Sequence, residues 1–270
     1  MLSARELAHF HEKGWLIVRG VADATALRRL DCETAGLHER MADANTGGAP
    51  AGGRGVDYSV VRVSWEDQQA ADRPRRIRQL MNSEMVCPTI EQLLQSERMV
   101  GIVSALMGGA PQVALFHSKL LMKAACDGSF TPFHQDWGYW HPAFKQPTHI
   151  NCMLAIDPMT TENGCIRFVN QSHKLGPREH IKLDSASFSL ALDASPSAFP
   201  QAIPVECDAG DAVFFGPLVI HGSHQNHSTC DRRANTFAFD LPGNLISAGG
   251  SENEGYRIRV LPWRPAAPRL

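Results

Sequence analysis

The rhythm of apolar and polar positions changes near residue 112. Before it the spacing is helical. Leu7, Phe10 and His11 fall on one helical face behind Ser3 and Glu6, a capping-box pair, and Gly14 closes that helix. Trp15-Leu16-Ile17-Val18 reads as a short strand. Helical spacing returns over 22–43, at Leu27, Leu30, Thr34 and Leu37. A third stretch runs over 89–107, through Leu93, Leu94, Val100, Val103 and Leu106, and stops at Gly108-Gly109. After 112 come short apolar segments separated by Gly, Pro, Asn and Asp: 112–123, 132–137, 148–157, 164–169, 203–207, 211–216, 218–222, 234–241 and 256–262.

Helices followed by many short strands predict an α+β chain with a double-sheet jelly roll as its core. The helices are expected to pack on one sheet. The reading is therefore one domain over 1–270, with 1–111 as mainly helical support and a substrate-side loop, and 112–270 as the catalytic core. Two segments lack the period of a packed element. Residues 44–56 hold five glycines and a proline. Their Gly52-Gly53-Arg54-Gly55 lacks the Gly-Lys-Ser/Thr ending of a phosphate loop. Residues 177–201 are polar, with Pro196 and Pro200. Both segments are expected to be mobile and to cover a pocket.

Composition narrows the class. At 43% apolar residues the chain can bury a sizeable core, and a formal charge of -2 gives no broad pull toward nucleic acid or an anionic membrane. The seven cysteines are scattered without a CxxC pair, which fits reduced thiols. The N-terminus has neither the basic nor the apolar region of a signal peptide, and no apolar run approaches the ~20 residues of a membrane span. The expectation is a cytoplasmic protein with a small-molecule substrate and no nucleic-acid or membrane partner, as a monomer or homodimer.

The chemistry lies in His134-Gln135-Asp136 and in His221, within Val219-Ile220-His221-Gly222-Ser223. Two imidazoles and one carboxylate make a facial triad for non-haem Fe(II), with three positions left open. A bidentate co-substrate takes two of them and O2 the third. On a strand His134 and Asp136 point the same way, while Gln135 faces away or turns at the strand end. Arg232-Arg233 follows eleven residues after His221, a cation at the spacing needed to hold a dicarboxylate such as 2-oxoglutarate. Only one of the two arginines can point inward from a strand. Ser223 is placed to donate to the same carboxylate. Lys119 shares a strand face with His117 and Leu121 and is a candidate contact for 2-oxoglutarate or a substrate anion. Asn151 and Met153 share a face that borders the co-substrate, and Gln135 is a candidate hydrogen-bond partner near the metal. Trp137 and Trp140, in an aromatic cluster past the triad strand, are candidate substrate walls. His221, His224 and His227 have the spacing of a zinc helix, but they follow a strand and lack the zincin glutamate; His224 and His227 read as loop residues.

These pieces together resemble the phytanoyl-CoA dioxygenase family of Fe(II)/2-oxoglutarate oxygenases. They are His134 through Trp140; Glu162-Asn163-Gly164-Cys165-Ile166-Arg167-Phe168-Val169; Gln171-Ser172-His173-Lys174; Ala209 through Phe215; His221-Gly222-Ser223; and Arg232-Arg233-Ala234. Phe10 through Gly20 is also similar. Asn170-Gln171-Ser172-His173 departs from the family's Pro-Gly-Ser-His turn, and the Gly-rich insertion near 47–55 is a second departure. The resemblance implies a cupin-like double-stranded β-helix with flanking N-terminal helices. It also implies Fe(II), 2-oxoglutarate and O2 as reactants, Arg232 as the co-substrate arginine, and Arg62 as a cation near the substrate. It implies oxygen insertion over halogenation, because Asp136 fills the position that related halogenases leave to chloride. The expected reaction is hydroxylation of an unactivated C–H bond with release of succinate and CO2. The alternatives are desaturation, epoxidation or ring formation with the same cofactors, a cupin-like isomerase or lyase, and a non-catalytic metal-binding sensor or scaffold.

Overall fold

Strands that read as near-continuous apolar runs are covered on both faces. In the computed structural model, which describes residues 2–44, 61–66, 76–126, 128–141, 144–183, 189–193, 195, 197–244 and 259–262, three strands are buried along most or all of their length. They are β4 (Gln112–Lys123), β6 (Ile150–Ala155) and β11 (Ala212–Phe215). With β1 (Trp15–Val18), β2 (Arg62–Trp65), β3 (Ile77–Met81), β13 (Arg232–Asp240) and β14 (Arg259–Pro262) they form an eight-stranded sheet. Its order is β1-β11-β6-β13-β4-β3-β2, with β14 also on β4. A smaller sheet of order β10-β7-β12-β5 is built from β5 (Thr131–His134), β7 (Ile166–Phe168), β10 (Ile203–Pro204) and β12 (His221–Ser223). From β4 to β13 the chain passes repeatedly between the two sheets, and all the pairings are antiparallel. This is the double-stranded β-helix.

Alternation along each strand sorts the side chains. Leu120, Cys152, Leu154, Phe214 and Phe237 pack against the helices in one core. Met153, Ala155, Phe168, Val213, Phe215 and Ala234 fill the space between the sheets. The helical layer is α1 (Ala4–Lys13), α2 (Ala24–Thr34), α3 (Leu37–Ala44), α4 (Pro88–Leu94) and α5 (Glu97–Leu106).

Ser3 and Glu6 form the capping box, and Gly14 ends α1 at φ 89°. A side chain there would meet both the left-handed backbone penalty and the His173 ring, 2.5 Å from an added Cβ. Two expected helices are each broken. Gly36 takes φ 66° between α2 and α3, and Ser96 caps α5 by accepting from the Met99 N–H. His11 is exposed, so only Leu7 and Phe10 of that face turn inward. The first part of the chain is less helical than its pattern predicts, because β2 and β3 extend the large sheet beyond β4.

Residues 45–56, most of the Gly-rich segment, lie outside the described residues. The described parts of 177–201 are not wholly irregular: β8 (Ile181–Lys182) pairs with β9 (Leu190–Ala191).

Candidate metal centre and its pocket

The small sheet sets the metal site by register. His221 on β12 lies directly opposite His134 on β5, and their rings are 4.3 Å apart. The strand ends at His134, and Asp136 opens a short helix, α6 (Asp136–Trp140), rather than continuing β5 as expected. Gln135 nevertheless keeps an extended backbone, at φ -109° and ψ 134°, so the alternation survives one residue past the strand. The Asp136 carboxylate thereby reaches both rings. Oδ1 is 3.4 Å from His134 Nε2, and Oδ2 is 3.8 Å from His221 Nε2. One ligand atom from each residue lies within 4.8 Å of the others.

Both rings are oriented from behind. His134 Nδ1 is 2.8 Å from the Pro132 carbonyl, and His221 Nδ1 is 2.9 Å from the Val219 carbonyl. A carbonyl can only accept, so each Nδ1 carries the proton and each Nε2 keeps its lone pair for the metal. Burial, with His134 alongside, lowers the His221 pKa to about 4, so its ring is neutral at physiological pH. Burial works against the Asp136 anion, but the two imidazoles outweigh it and hold the carboxyl well below its usual range. Asn151 Nδ2 donates to Asp136 Oδ2 at 2.7 Å and fixes the carboxylate.

Around this cluster lies a cleft of about 910 Å³ of empty space, part of it open to solvent. Lys119, Asn151, Met153, Trp140, Ser223 and Arg232 all line it. Arg232 is only 3% exposed. One of its nitrogens donates to the Gly164 carbonyl at 3.0 Å, while Nε and Nη1 are buried with no partner among the described residues. Burial lowers its pKa to about 10, and it remains a cation. An unsatisfied buried guanidinium facing a cavity is what a bound carboxylate would complete. Arg233 points the other way. It is tied to Asp157 at 2.5 Å and to Asp31 at 2.7 Å, a buttress between β13 and α2 rather than a solvated surface charge.

Two expected site residues, Gln135 and Trp137, lie elsewhere, and the side chain of a third falls outside the described residues. Gln135 is fully buried and faces away from the metal. Its amide donates to the Gly176 carbonyl at 3.0 Å and the Leu218 carbonyl at 2.7 Å, and it accepts from Arg178 N–H at 2.7 Å. It clamps the turn bearing His134 and Asp136 to the segment leading to His221. Trp137 packs with Phe116, Phe144 and His149, and Trp140, three residues on, is the ring that borders the cleft. Arg62 pairs with Met81 on β3, and its side chain lies outside the described residues. His224 and His227 take no part in the metal cluster; His224 bonds Arg167.

Other wall residues were not anticipated. Lys123 is buried, and its ammonium donates to the Ser129 carbonyl at 2.5 Å, the His224 carbonyl at 2.6 Å and Ser223 Oγ at 2.9 Å. The period-2 face of His117, Lys119 and Leu121 carries on to Lys123 and could have signalled it. Because Ser223 Oγ accepts from Lys123, its own proton is free to point at a ligand. Glu66, Arg78 and Gln79 line the cleft from β3 and the end of β2. Arg78 gets there through a bulge. Ser64 pairs with Gln79 and Trp65 with Ile77, which leaves Arg78 as the extra residue and turns it toward the site.

The Gln135 clamp carries a prediction. Gln135→Leu leaves three backbone groups, on Gly176, Arg178 and Leu218, without their side-chain partner. Anaerobic Fe(II) titration should show affinity reduced about 10- to 100-fold, with every metal ligand still present.

Comparison with known proteins agrees with this fold. A crystal structure of EctD from S. alaskensis with 2-oxoglutarate and 5-hydroxyectoine superposes with a TM-score of 0.67, over 90% of this chain and 77% of that one, at 16% identity. EvdO2 from Micromonospora carbonacea, complexed with 2-oxoglutarate, gives 0.65 over 92% and 94% at 20% identity. These likenesses show the fold. In sequence, the chain is 26% identical over 243 residues to a probable phytanoyl-CoA dioxygenase of Caenorhabditis elegans, covering 87% of this chain and 74% of that protein. It is 30% identical over 168 residues to a methylphosphonate hydroxylase of Gimesia maris, covering 62% of this chain and 58% of that protein. The chain thus spans little more than half the length of that hydroxylase. The phytanoyl-CoA dioxygenase (PhyH) family model matches residues 10–234, from α1 to the strand that carries Arg232. That span takes in all three residues of the metal cluster, and the chain belongs to the phytanoyl-CoA dioxygenase family.

Proposed function

We propose that this protein is an Fe(II)- and 2-oxoglutarate-dependent oxygenase that hydroxylates an unactivated C–H bond of a small molecule. The observation that carries the reading is the pairing of an open three-ligand cluster with a buried, incompletely satisfied arginine in the same cleft. A metal-storing or purely structural site gains nothing from that second feature.

His134, Asp136 and His221 would hold Fe(II), which suits two imidazoles and a carboxylate. Arg232 and Ser223 would take the distal carboxylate of 2-oxoglutarate. The bound iron and 2-oxoglutarate supply the oxidising chemistry: O2 is consumed, the keto acid leaves as succinate and CO2, and one oxygen atom enters the substrate. The chain supplies position. Asn151 keeps the Asp136 carboxylate turned to the cluster. Lys123 sets the Ser223 hydroxyl as a donor. Leu121, Met153 and Phe215 give the cleft apolar walls that exclude water. Gly176 and Leu190 are fastened beside the site, the first through Gln135 and the second through Tyr139, whose hydroxyl donates to the Leu190 carbonyl.

The test is coupled turnover. Purified protein with Fe(II), O2 and 2-oxoglutarate should form succinate and CO2 in equal amounts, at a rate that rises when substrate is added. Without oxygen, Fe(II) and 2-oxoglutarate together should give a visible charge-transfer band. No succinate under any condition, and no band, would overturn the reading.

A further inference from the structure

Charge is distributed unevenly along the large-sheet wall of the cleft. On β4 the inward positions are His117, Lys119, Leu121 and Lys123, and β13 sets Thr236 opposite Lys119 and Arg232 opposite Lys123. The Arg232 and Lys123 row is the diacid end. Lys119 lies four residues from Lys123 along the same strand, about 13 Å away at the usual rise. It is next to the row that holds Asn151, and so beside the metal cluster.

The cations of this wall have different surroundings. Lys123 is saturated by three oxygens. Arg232 faces the diacid. The half-buried Lys119 ammonium has no hydrogen-bond acceptor and no ion-pair partner among the described residues. Burial lowers its pKa, only partly offset by Asp136, and Arg78 adds a like charge from β3. Iron(II) and the 2-oxoglutarate dianion cancel each other. With Arg78 set aside, Lys119, Lys123 and Arg232 still exceed Asp136 and Glu66 by one positive charge among the described wall residues. That excess is located at Lys119, whose half-buried ammonium has no partner among the described residues and would be stabilised by an anion.

We infer that the substrate of this site is a small molecule bearing an oxyanion, a carboxylate or a phosphonate, and that Lys119 holds that group. The inference rests on the oxygenase reading above. The bulge at Arg78 brings a further cation to the same cleft, between the levels of Lys119 and Lys123. Trp140 and His117, stacked edge to face at 4.8 Å, close the wall beside Lys119. The oxyanion would fix one end of the substrate and leave its C–H bonds between the apolar wall and the metal.

The test uses the full chain with Fe(II) and 2-oxoglutarate under nitrogen, read by the charge-transfer band. Absence of the band before any probe is added would overturn the oxygenase reading and this inference with it. With the band present, the probes are methylphosphonate against dimethyl methylphosphonate, and cyclopentanecarboxylate against cyclopentanecarboxamide. At least one anion should shift the band while its neutral counterpart does not, and the anion that does so identifies the group. Lys119→Met should weaken that anion about 10- to 100-fold, and Lys119→Arg should keep it within about threefold. The 2-oxoglutarate affinity of both variants should stay near wild type. Three results would overturn the inference: neutral probes binding as well as anions, no anion shifting the band, or Lys119→Met weakening 2-oxoglutarate in place of the probe.

Discussion

Asp136→Ala is expected to reduce turnover below detection and to weaken Fe(II) binding by at least about 100-fold, while the fold survives. The carboxylate is the one anionic ligand in a buried cluster, and without it two imidazoles would have to hold a dication in a cleft that already carries excess positive charge. His134→Ala and His221→Ala should act in the same direction, since each removes a neutral nitrogen whose proton is fixed on the far side of the ring. The fold should persist, because Asp136 lies at the start of a short, only partly buried helix and none of the three residues belongs to the helix-side core. Iron content by metal analysis, circular dichroism and succinate formation on the same preparation would separate these effects. Full activity in a metal-checked Asp136→Ala protein would remove the assignment.

The second large effect concerns two neighbouring arginines. Arg232→Ala should raise the KM for 2-oxoglutarate roughly 30- to 1000-fold, the equivalent of about 2–4 kcal/mol for a lost charge-assisted carboxylate pair. Arg233→Ala should leave that KM within about threefold and act on stability instead, since its bonds go to Asp157, Asp31 and Thr34. Initial rates against 2-oxoglutarate, together with urea unfolding of both variants, would show the split. Reversed ranking would mean that β13 is out of register by one residue, which would turn every side chain on it to the opposite face.

How much of this was readable beforehand depended on the kind of signal. The strand at 112–123 was legible to the residue, because its turns are marked by Pro111 on one side and Asp127-Gly128-Ser129 shortly beyond the other. The metal ligands were legible because their chemistry constrains residue type as well as spacing. The β2–β3 hairpin was not. Its alternation is broken by the Arg78 bulge, and the segment between its strands is polar. The two long helices were overextended because Gly36 and Ser96 each interrupt a period that continues beyond them. Gln135 was misdirected for a tertiary reason. Facing away from a metal does not say what is faced instead, and the three backbone groups it satisfies come from chain up to 83 residues distant. Trp137 and Trp140 stand three apart on one helical turn, and only the packing of Phe116 and Phe144 decides which ring reaches the cleft.

The pairing of His221 with His134 across β5 and β12 has a thermodynamic side. The two strands are short, and the register between them shifts after His221, so the hydrogen-bond ladder there is weak. A cation shared by both rings is therefore a cross-link between strands, formed only in the native state. Binding that favours the folded chain adds RT ln(1 + [M]/Kd) to its stability, about 2.7 kcal/mol at a metal concentration one hundred times the Kd. Iron supply and protein lifetime are then coupled through this sheet: a cell short of iron holds less active enzyme and also a less durable one.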